Sequence, residues 1–227
     1  MKHLIRNKLG VPSQEISLQR IKRLGYDAKI CLDIGAYEGL WAKEFKNIFL
    51  NTGILMLEGQ KEKESALMKT KSLLKDVDYQ IALLGAEEKD VTFNKYDTAS
   101  SVWSEHHATG AKTESRKLIT LDQVVFDTLF AKPDFIKIDT QGYELEILKG
   151  GKKTMSHAEF VLLEVSMLDI YQHAPLVAEV LDFMGQEDFV LYDICTIMRR
   201  PLDGALFQSD FLFVKEDSRF RQDKRWS

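Results

Sequence analysis

Cys31-Leu32-Asp33-Ile34-Gly35-Ala36-Tyr37-Glu38-Gly39 is the stretch on which the fold turns. The apolar run from Lys29 to Leu32 predicts a buried strand. It ends in an acid and two glycines, and a helical pattern begins at Leu40. Strand, glycine turn and helix in succession are how open α/β sheets build ligand crevices at the carboxyl ends of their strands. Gly35 permits a tight turn and lets a ligand approach the backbone closely. Asp33 is expected at the strand tip with its carboxylate facing that ligand.

The chemistry of the turn narrows the ligand. A dinucleotide brings a pyrophosphate and wants a bare G-x-G-x-x-G turn opening a helix. Here the spacing is Gly35-x-x-x-Gly39, and Glu38 lies inside the turn. Asp33 and Glu38 would repel a diphosphate but suit a ligand that offers ammonium and hydroxyl donors. S-adenosylmethionine (AdoMet) has a sulfonium, an ammonium and a ribose, and no phosphate. Taken by itself, the turn is equally a plain βα turn with an incidental acid.

At 227 residues the chain is long enough for one α/β domain with a sizeable core. Its 44% of hydrophobic residues, four prolines and absence of low-complexity runs argue against disorder. A net charge of −4, with scattered basic residues apart from a C-terminal cluster, gives no reason to expect a nucleic-acid partner. Cys31 and Cys195 each sit in an apolar run and read as small buried hydrophobes rather than a disulfide or metal pair. Met1 to Gly10 is basic without an apolar signal core, and no stretch reaches membrane-span length, so a cytoplasmic location is expected. Composition leaves the oligomeric state open.

Outward from the turn, a loose arm over residues 1–14 leads to a helix with Ile16, Ile21 and Leu24 as its apolar stripe, ended by Gly25. Leu40 to Phe49 is the helix after the turn. Ile54 to Leu57 is a second buried strand ending at Glu58-Gly59. An acid at a second strand's tip accepts hydrogen bonds from ribose hydroxyls in nucleotide-binding α/β domains. Lys61 to Leu74 is an amphipathic helix, Tyr79 to Leu84 a third strand, and Val91 to Tyr96 an alternating exposed strand. The polar stretch Asp97 to Arg116, with Trp103, His106 and His107, is long enough to be a functional loop. Leu118 to Leu121 is short and extended, and Asp122 to Phe130 is helical.

Asp134 to Asp139 is a fourth strand ending in an acid, turned by Thr140-Gln141-Gly142 into a helix from Tyr143 to Lys149. Glu144 lies in that helix's first turn, where the dipole favours an anion. Phe160 to Val165 is a fifth strand with Glu164 near its end, and Pro175 to Met184 is a helix. Phe189 to Ile194 and Phe211 to Lys215 have no helix between them and pair as an antiparallel hairpin. The count is about seven strands in a doubly wound, mostly parallel α/β sheet with that hairpin last. All of residues 1–227 form one domain: arm and helix over 1–28, α/β core over 29–215, basic tail over 216–227.

With four strand tips in view, the chain resembles the FkbM family of AdoMet-dependent methyltransferases. The carrying segments are CLDIGAYEG at 31–39, LEGQ at 57–60, IALLG at 81–85, ASSVW at 99–103 and TLDQV at 120–124. The most specific is DFIKIDTQGYELEILKGG at 134–151, followed by EVS at 164–166. The resemblance covers roughly residues 20 to 215. It implies a Rossmann-like, seven-stranded class I methyltransferase fold, AdoMet as cofactor and methyl transfer, usually to a hydroxyl of a sugar or polyketide-like acceptor. It implies Asp33 and Gly35 along the methionine end, Glu58 on the ribose and Ala82 beside the adenine, and Ala36 and Glu38 of the same turn are expected to bind the cofactor with them. Two positions depart from the family's usual pattern. Gly59 stands where Pro often follows the acid, and Gln141 stands where Glu is common after strand four. A glutamate acting as proton acceptor in relatives could not be replaced by Gln141.

Methyl transfer from a sulfonium is an in-line displacement, and aligning the three atoms contributes roughly 7–11 kcal/mol. A hydroxyl nucleophile also needs a base within hydrogen-bond reach. Asp139 is the first candidate, Glu164 the next, and His106 or His107 could enter from the loop. No metal-ligand spacing is strong enough to assign a metal. Two rival readings stand beside the enzyme: a non-catalytic AdoMet-binding scaffold or sensor, which Gln141 favours, and a nucleotide-dependent oxidoreductase, which Glu38 disfavours.

Overall fold

The computed structural model describes residues 11–95, 102–103 and 112–226. In chain order the strands are β1 (Ile30–Ile34), β2 (Gly53–Glu58), β3 (Val77–Ile81), β4 (Leu83–Gly85), β5 (Asp90–Lys95), β6 (Lys112–Thr120), β7 (Phe135–Ile138), β8 (Phe160–Ser166), β9 (Phe189–Ile194), β10 (Met198–Arg199) and β11 (Leu206–Lys215). The helices are α1 (Gln14–Arg23), α2 (Leu40–Ile48), α3 (Glu64–Leu73), α4 (Leu121–Val125), α5 (Glu144–Lys149), α6 (Lys152–Met155) and α7 (Val177–Gln186).

The main sheet runs β10-β11-β8-β7-β1-β2-β3, with β9 also paired to β11. Strands β3, β2, β1, β7 and β8 are parallel neighbours. β11 is antiparallel to both β8 and β9, which is the expected final hairpin. Side chains alternate between the two faces of each strand. Leu32, Ile34 and Ile138 therefore pack on one face with residues of α4, α5 and α7. Cys31, Met56 and Phe135 pack on the other with residues of α1, α2 and α3. Helices on both faces of a mostly parallel sheet make this a doubly wound α/β fold, as read from the sequence.

The chain reverses from β1 toward β2 at the central crossover of this order, between β1 and β7, and the crevice opens there. Gly35 has φ +73°, and a Cβ built on it would overlap the backbone carbonyl of Asp139 at the tip of β7. The glycine turn and β7 are packed backbone to backbone, which only glycine allows. Gly35 N and Ala36 N donate to Leu57 O, tying the same turn to β2.

Several local expectations are corrected. The third strand divides at Ala82: β3 stays in the main sheet, while β4 joins a second sheet of order β4-β6-β5. β6 begins at Lys112, so the polar stretch read as a loop is a strand over its last part; the run Thr113-Glu114-Ser115-Arg116 hides the pattern because its side chains are exposed or half-buried. The helix expected from Asp122 to Phe130 ends at Val125, and Phe126 is left 74% exposed. Its start is fixed by a reciprocal cap in which Gln123 N donates to Thr120 Oγ1 and Thr120 N donates to Gln123 Oε1. On α1 the buried face is Ser17, Leu18 and Ile21, and Leu24 is exposed. The C-terminal segment is held down: Phe220 packs on Phe160 and Tyr26, and Arg219 donates to Gly25 O. No helix among the described residues is long and apolar enough to cross a membrane.

Candidate active site

A cavity of about 410 Å³ lies at the carboxyl ends of β1, β2, β7 and β8. One end is apolar, formed by Leu57, Ala82, Leu84 and Phe93; the other is polar, formed by Asp139, Gln141, Glu164 and Gln208. Gly35, Tyr37 and Glu58 lie on the same lining. Of the residues expected from sequence, the structure brings Gly35, Glu58, Ala82, Asp139 and Glu164 together on this lining. Asp33, Ala36 and Glu38 are not part of it. His106 and His107 lie outside the described residues.

Asp33 is the main correction. Ile34 faces the cavity, so strand alternation turns Asp33 to the opposite face of the sheet. There it lies directly across from Lys137 in the β1/β7 register. It is fully buried, and neither carboxylate oxygen meets hydrogen-bond geometry with a donor. Its charge is compensated by the Lys137 ammonium, 3.2 Å from Oδ1. Burial raises the Asp33 pKa, and the lysine charge only partly offsets that. Burial also disfavours the ammonium, but the carboxylates of Asp33 and Asp139 outweigh it and hold Lys137 charged. Lys137 Nζ further donates to Gly35 O at 3.1 Å and lies 3.7 Å from Asp139 Oδ2. One buried cation thus links the glycine turn to the acid at the tip of β7. The signal was present in the sequence as a lysine inside Phe135-Ile136-Lys137-Ile138.

Glu38 is corrected for a different reason. Its side chain is 43% exposed and pairs with Lys63 Nζ at 3.2 Å. The same ammonium sits 3.6 Å from the centre of the Tyr37 ring. The turn therefore presents Tyr37, in the left-handed region at φ +50°, to the cavity instead of Glu38.

Glu58 is more than a free strand-tip acid. Its Oε2 accepts from Tyr37 N at 2.7 Å and its Oε1 from Gln60 N at 2.8 Å. Burial raises its pKa and these two N–H donors oppose the shift. The carboxylate clamps both loops around the cavity. Glu58→Ala is accordingly expected to weaken AdoMet by on the order of ten- to a hundred-fold, the worth of a charged hydrogen bond of roughly 1.5–3 kcal/mol. Because it also strips acceptors from two loop N–H groups, the melting temperature should fall as well. Calorimetric titration with AdoMet checks this; native affinity in the variant would reduce Glu58 to a loop clamp.

At the tip of β7 the N–H groups of Thr140 and Gly142 are already taken. Glu144 Oε1 accepts from Thr140 N at 2.9 Å, Gly142 N at 3.1 Å and Thr140 Oγ1 at 3.2 Å. Glu144 is thus a turn staple, beyond any effect of the helix dipole, and burial pushes its pKa up to about 7. The Asp139 carboxylate is left for the cavity, where it accepts from Gln141 Nε2 at 3.2 Å. Gln141 has φ +57°. Its Nε2 also donates to Glu164 Oε2 at 2.9 Å, and its Oε1 accepts from Tyr171 OH at 2.8 Å. Gln208 Nε2 donates to the same Glu164 oxygen at 3.0 Å. Burial holds the Glu164 pKa well above the carboxylate range, and the charges of Asp139, Glu144 and Asp210 push the same way against Lys137. Trp103 packs behind this turn: its Nε1 donates to Gly142 O at 3.1 Å, and its ring packs on Tyr143 and His173.

Residues 33–191 match the family described as the methyltransferase FkbM domain. The hexuronic acid methyltransferase AglP of Haloferax volcanii is 26% identical over 115 residues, which is 48% of this chain and 47% of that relative. The match therefore spans about half the length of the curated relative. Among solved structures, a methyltransferase FkbM from Methylobacillus flagellatus is 17% identical with a TM-score of 0.50, covering 82% of this chain and 43% of that one. The magnesium protoporphyrin IX methyltransferase ChlM of Synechocystis, solved with bound S-adenosylmethionine, is 10% identical with a TM-score of 0.51, covering 88% of this chain and 76% of that one. These two likenesses carry the fold.

Proposed function

The chain belongs to the FkbM methyltransferase family, and from that premise we propose that it methylates a hydroxyl group of a sugar, with a hexuronic-acid glycan as the leading acceptor class. AdoMet is the methyl donor of this family. The cavity fits it. Gly35 and Tyr37 bring the turn after β1 onto the cavity lining, beside the tip of β7. Glu58 offers carboxylate oxygens at the tip of β2, suited to ribose hydroxyls. Ala82, Leu84 and Phe93 form an apolar slot suited to a purine. When bound, AdoMet supplies an electrophilic methyl group on sulfur.

The residues of this chain supply positioning and a proton acceptor. Gly35 and Asp139 are held at a fixed separation by the backbone contact and by Lys137. Asp139 belongs to the polar end of the cavity, beside the Gly35 turn, where it meets an acceptor hydroxyl and takes the proton as the oxygen attacks. Such a base contributes roughly 10²–10⁴-fold. The observation that carries this assignment is that Glu144, not Asp139, accepts from Thr140 N and Gly142 N in the turn after β7. Gln141 is then not a defective base. It is an amide that orients Asp139 and Glu164 together.

The acceptor class rests on AglP, a hexuronic acid methyltransferase by name, and on a polar end of the cavity built from amides and carboxyls. Methyl-labelled AdoMet incubated with glycosides of a uronic acid, a neutral hexose and an amino sugar tests it. Transfer to the uronic-acid glycoside is expected. Transfer to the other sugars alone would move the acceptor class. Calorimetric binding of AdoMet with no transfer to a broad acceptor panel would favour the scaffold reading.

A further inference from the structure

The geometry points to Glu164 as the residue that positions the acceptor: a protonated carboxyl that donates a hydrogen bond from Oε1 to a second oxygen of the sugar, beside the hydroxyl being methylated. This rests on the reading above and divides the two cavity acids between two tasks.

Three observations carry it. First, both amide donors that reach Glu164, from Gln141 and Gln208, land on Oε2 at 2.9 and 3.0 Å. Among the described residues no donor reaches Oε1, the oxygen left for a ligand of the cavity that Glu164 lines. Second, Glu164 on β8 stands directly across from Asp210 on β11 in the antiparallel register. Directly opposed side chains share a face at close range, and like charges there repel. Burial raises the Asp210 pKa, but Asp210 holds two donors that oppose the shift, Gln14 Nε2 and Thr196 Oγ1, each at 2.6 Å to Oδ2, whereas among the described residues Glu164 receives only the two amides on its far oxygen. Third, among the described residues the charged groups that act most strongly on Glu164 from the neighbouring elements are the acids Asp139, Glu144 and Asp210, opposed by Lys137. A 9%-exposed carboxyl among three others is least costly when it keeps its proton. The raised pKa of Glu164 agrees with this.

A protonated Glu164 cannot act as the base, but it can donate, and it selects acceptors that present an oxygen lone pair next to the reacting hydroxyl. Vicinal hydroxyls, a ring oxygen and a uronic carboxylate all do so. Asp139, whose side chain is 39% exposed and lies nearer the lysine, remains the proton acceptor.

Two substitutions separate the tasks. In Glu164→Gln the amide oxygen can keep both glutamine donors while its NH₂ points into the cavity as a donor. Glu164→Leu has neither capacity. With a methyl uronoside as acceptor, Glu164→Leu is expected to lose about a hundred-fold in kcat/KM, mostly in acceptor KM, with AdoMet affinity within about threefold of the parent. Glu164→Gln should recover at least about tenfold of that loss. A Gln variant as inactive as the Leu variant, with the loss in kcat, would make Glu164 a base and overturn the proposal. A second measurement needs no acceptor. The infrared spectrum of the unmodified protein minus that of Glu164→Gln at pH 7 should contain a protonated-carboxyl C=O band. A carboxylate band in its place would overturn the proposal even if sugar methylation holds. If the carboxyl band is present and no sugar is methylated, the acceptor reading fails and the protonation state of Glu164 stands.

Discussion

Asp139→Asn is expected to lower the single-turnover rate of methyl transfer by roughly 10²–10⁴-fold, with AdoMet affinity and melting temperature close to those of the parent. The substitution keeps the size of the side chain and removes the basic oxygen. It leaves the turn after β7 intact, because Thr140 N and Gly142 N donate to Glu144. It leaves Lys137 paired with Asp33 and bonded to Gly35 O. A structural role for Asp139 makes the opposite forecast: stability and cofactor affinity fall together, and the rate per bound AdoMet holds. Measuring all three on one preparation separates the two. A normal single-turnover rate would remove Asp139 from the chemical step and leave His106 or His107 as the base to test.

Lys137→Met should be the most damaging single change to the fold. Removing one partner of a buried ion pair leaves the other charge uncompensated, at a cost of about 3–5 kcal/mol. Asp33 is wholly buried, has no hydrogen-bonded donor and depends on this ammonium. For a chain of this size that corresponds to a melting temperature lower by roughly 6–20 °C. The double variant Asp33→Asn/Lys137→Met no longer buries a lone charge and should regain most of the loss. Its single-turnover rate should stay at least about tenfold low, because the tether between Gly35 and Asp139 is still missing. Thermal melts and single-turnover assays on both variants check this. A Lys137→Met protein as stable as the parent would show that Asp33 is accommodated in some other way.

The parts of this fold that bury apolar runs were legible in the sequence. β1, β2, β7 and β8 each read as a short hydrophobic stretch ending at an acid, and the glycine turn after β1 set the crevice. What depends on strand parity or on partners far away in sequence was not. Asp33 looked like a ligand for the crevice because a strand tip was assumed to face it. The next residue, Ile34, claims that direction, and Lys137 of another strand claims the carboxylate. Glu144 looked like a helix-dipole acid, and only the turn geometry reveals its three bonds. The raised pKa of Glu164 comes first from burial and then from acids distant in sequence, among them Asp210, 46 positions later in the chain and opposite it in the sheet. β6 was hidden because a half-exposed strand can be built from Lys, Thr, Ser and Arg. The short extent of α4 could have been suspected: Thr120-Leu121-Asp122-Gln123 is a capping box, but nothing beyond Val125 gives the helix a buried face.

The central claim is that this cavity passes a methyl group to a sugar hydroxyl with the help of a base. The most direct test is the linkage formed when methyl-labelled AdoMet reacts with a uronic-acid glycoside, read by exposing the product to mild alkali. An ether at a hydroxyl survives that treatment, so the label should stay on the sugar. Label released as methanol would mean an ester at the carboxylate, a transfer that needs no base, and would contradict the role assigned to Asp139.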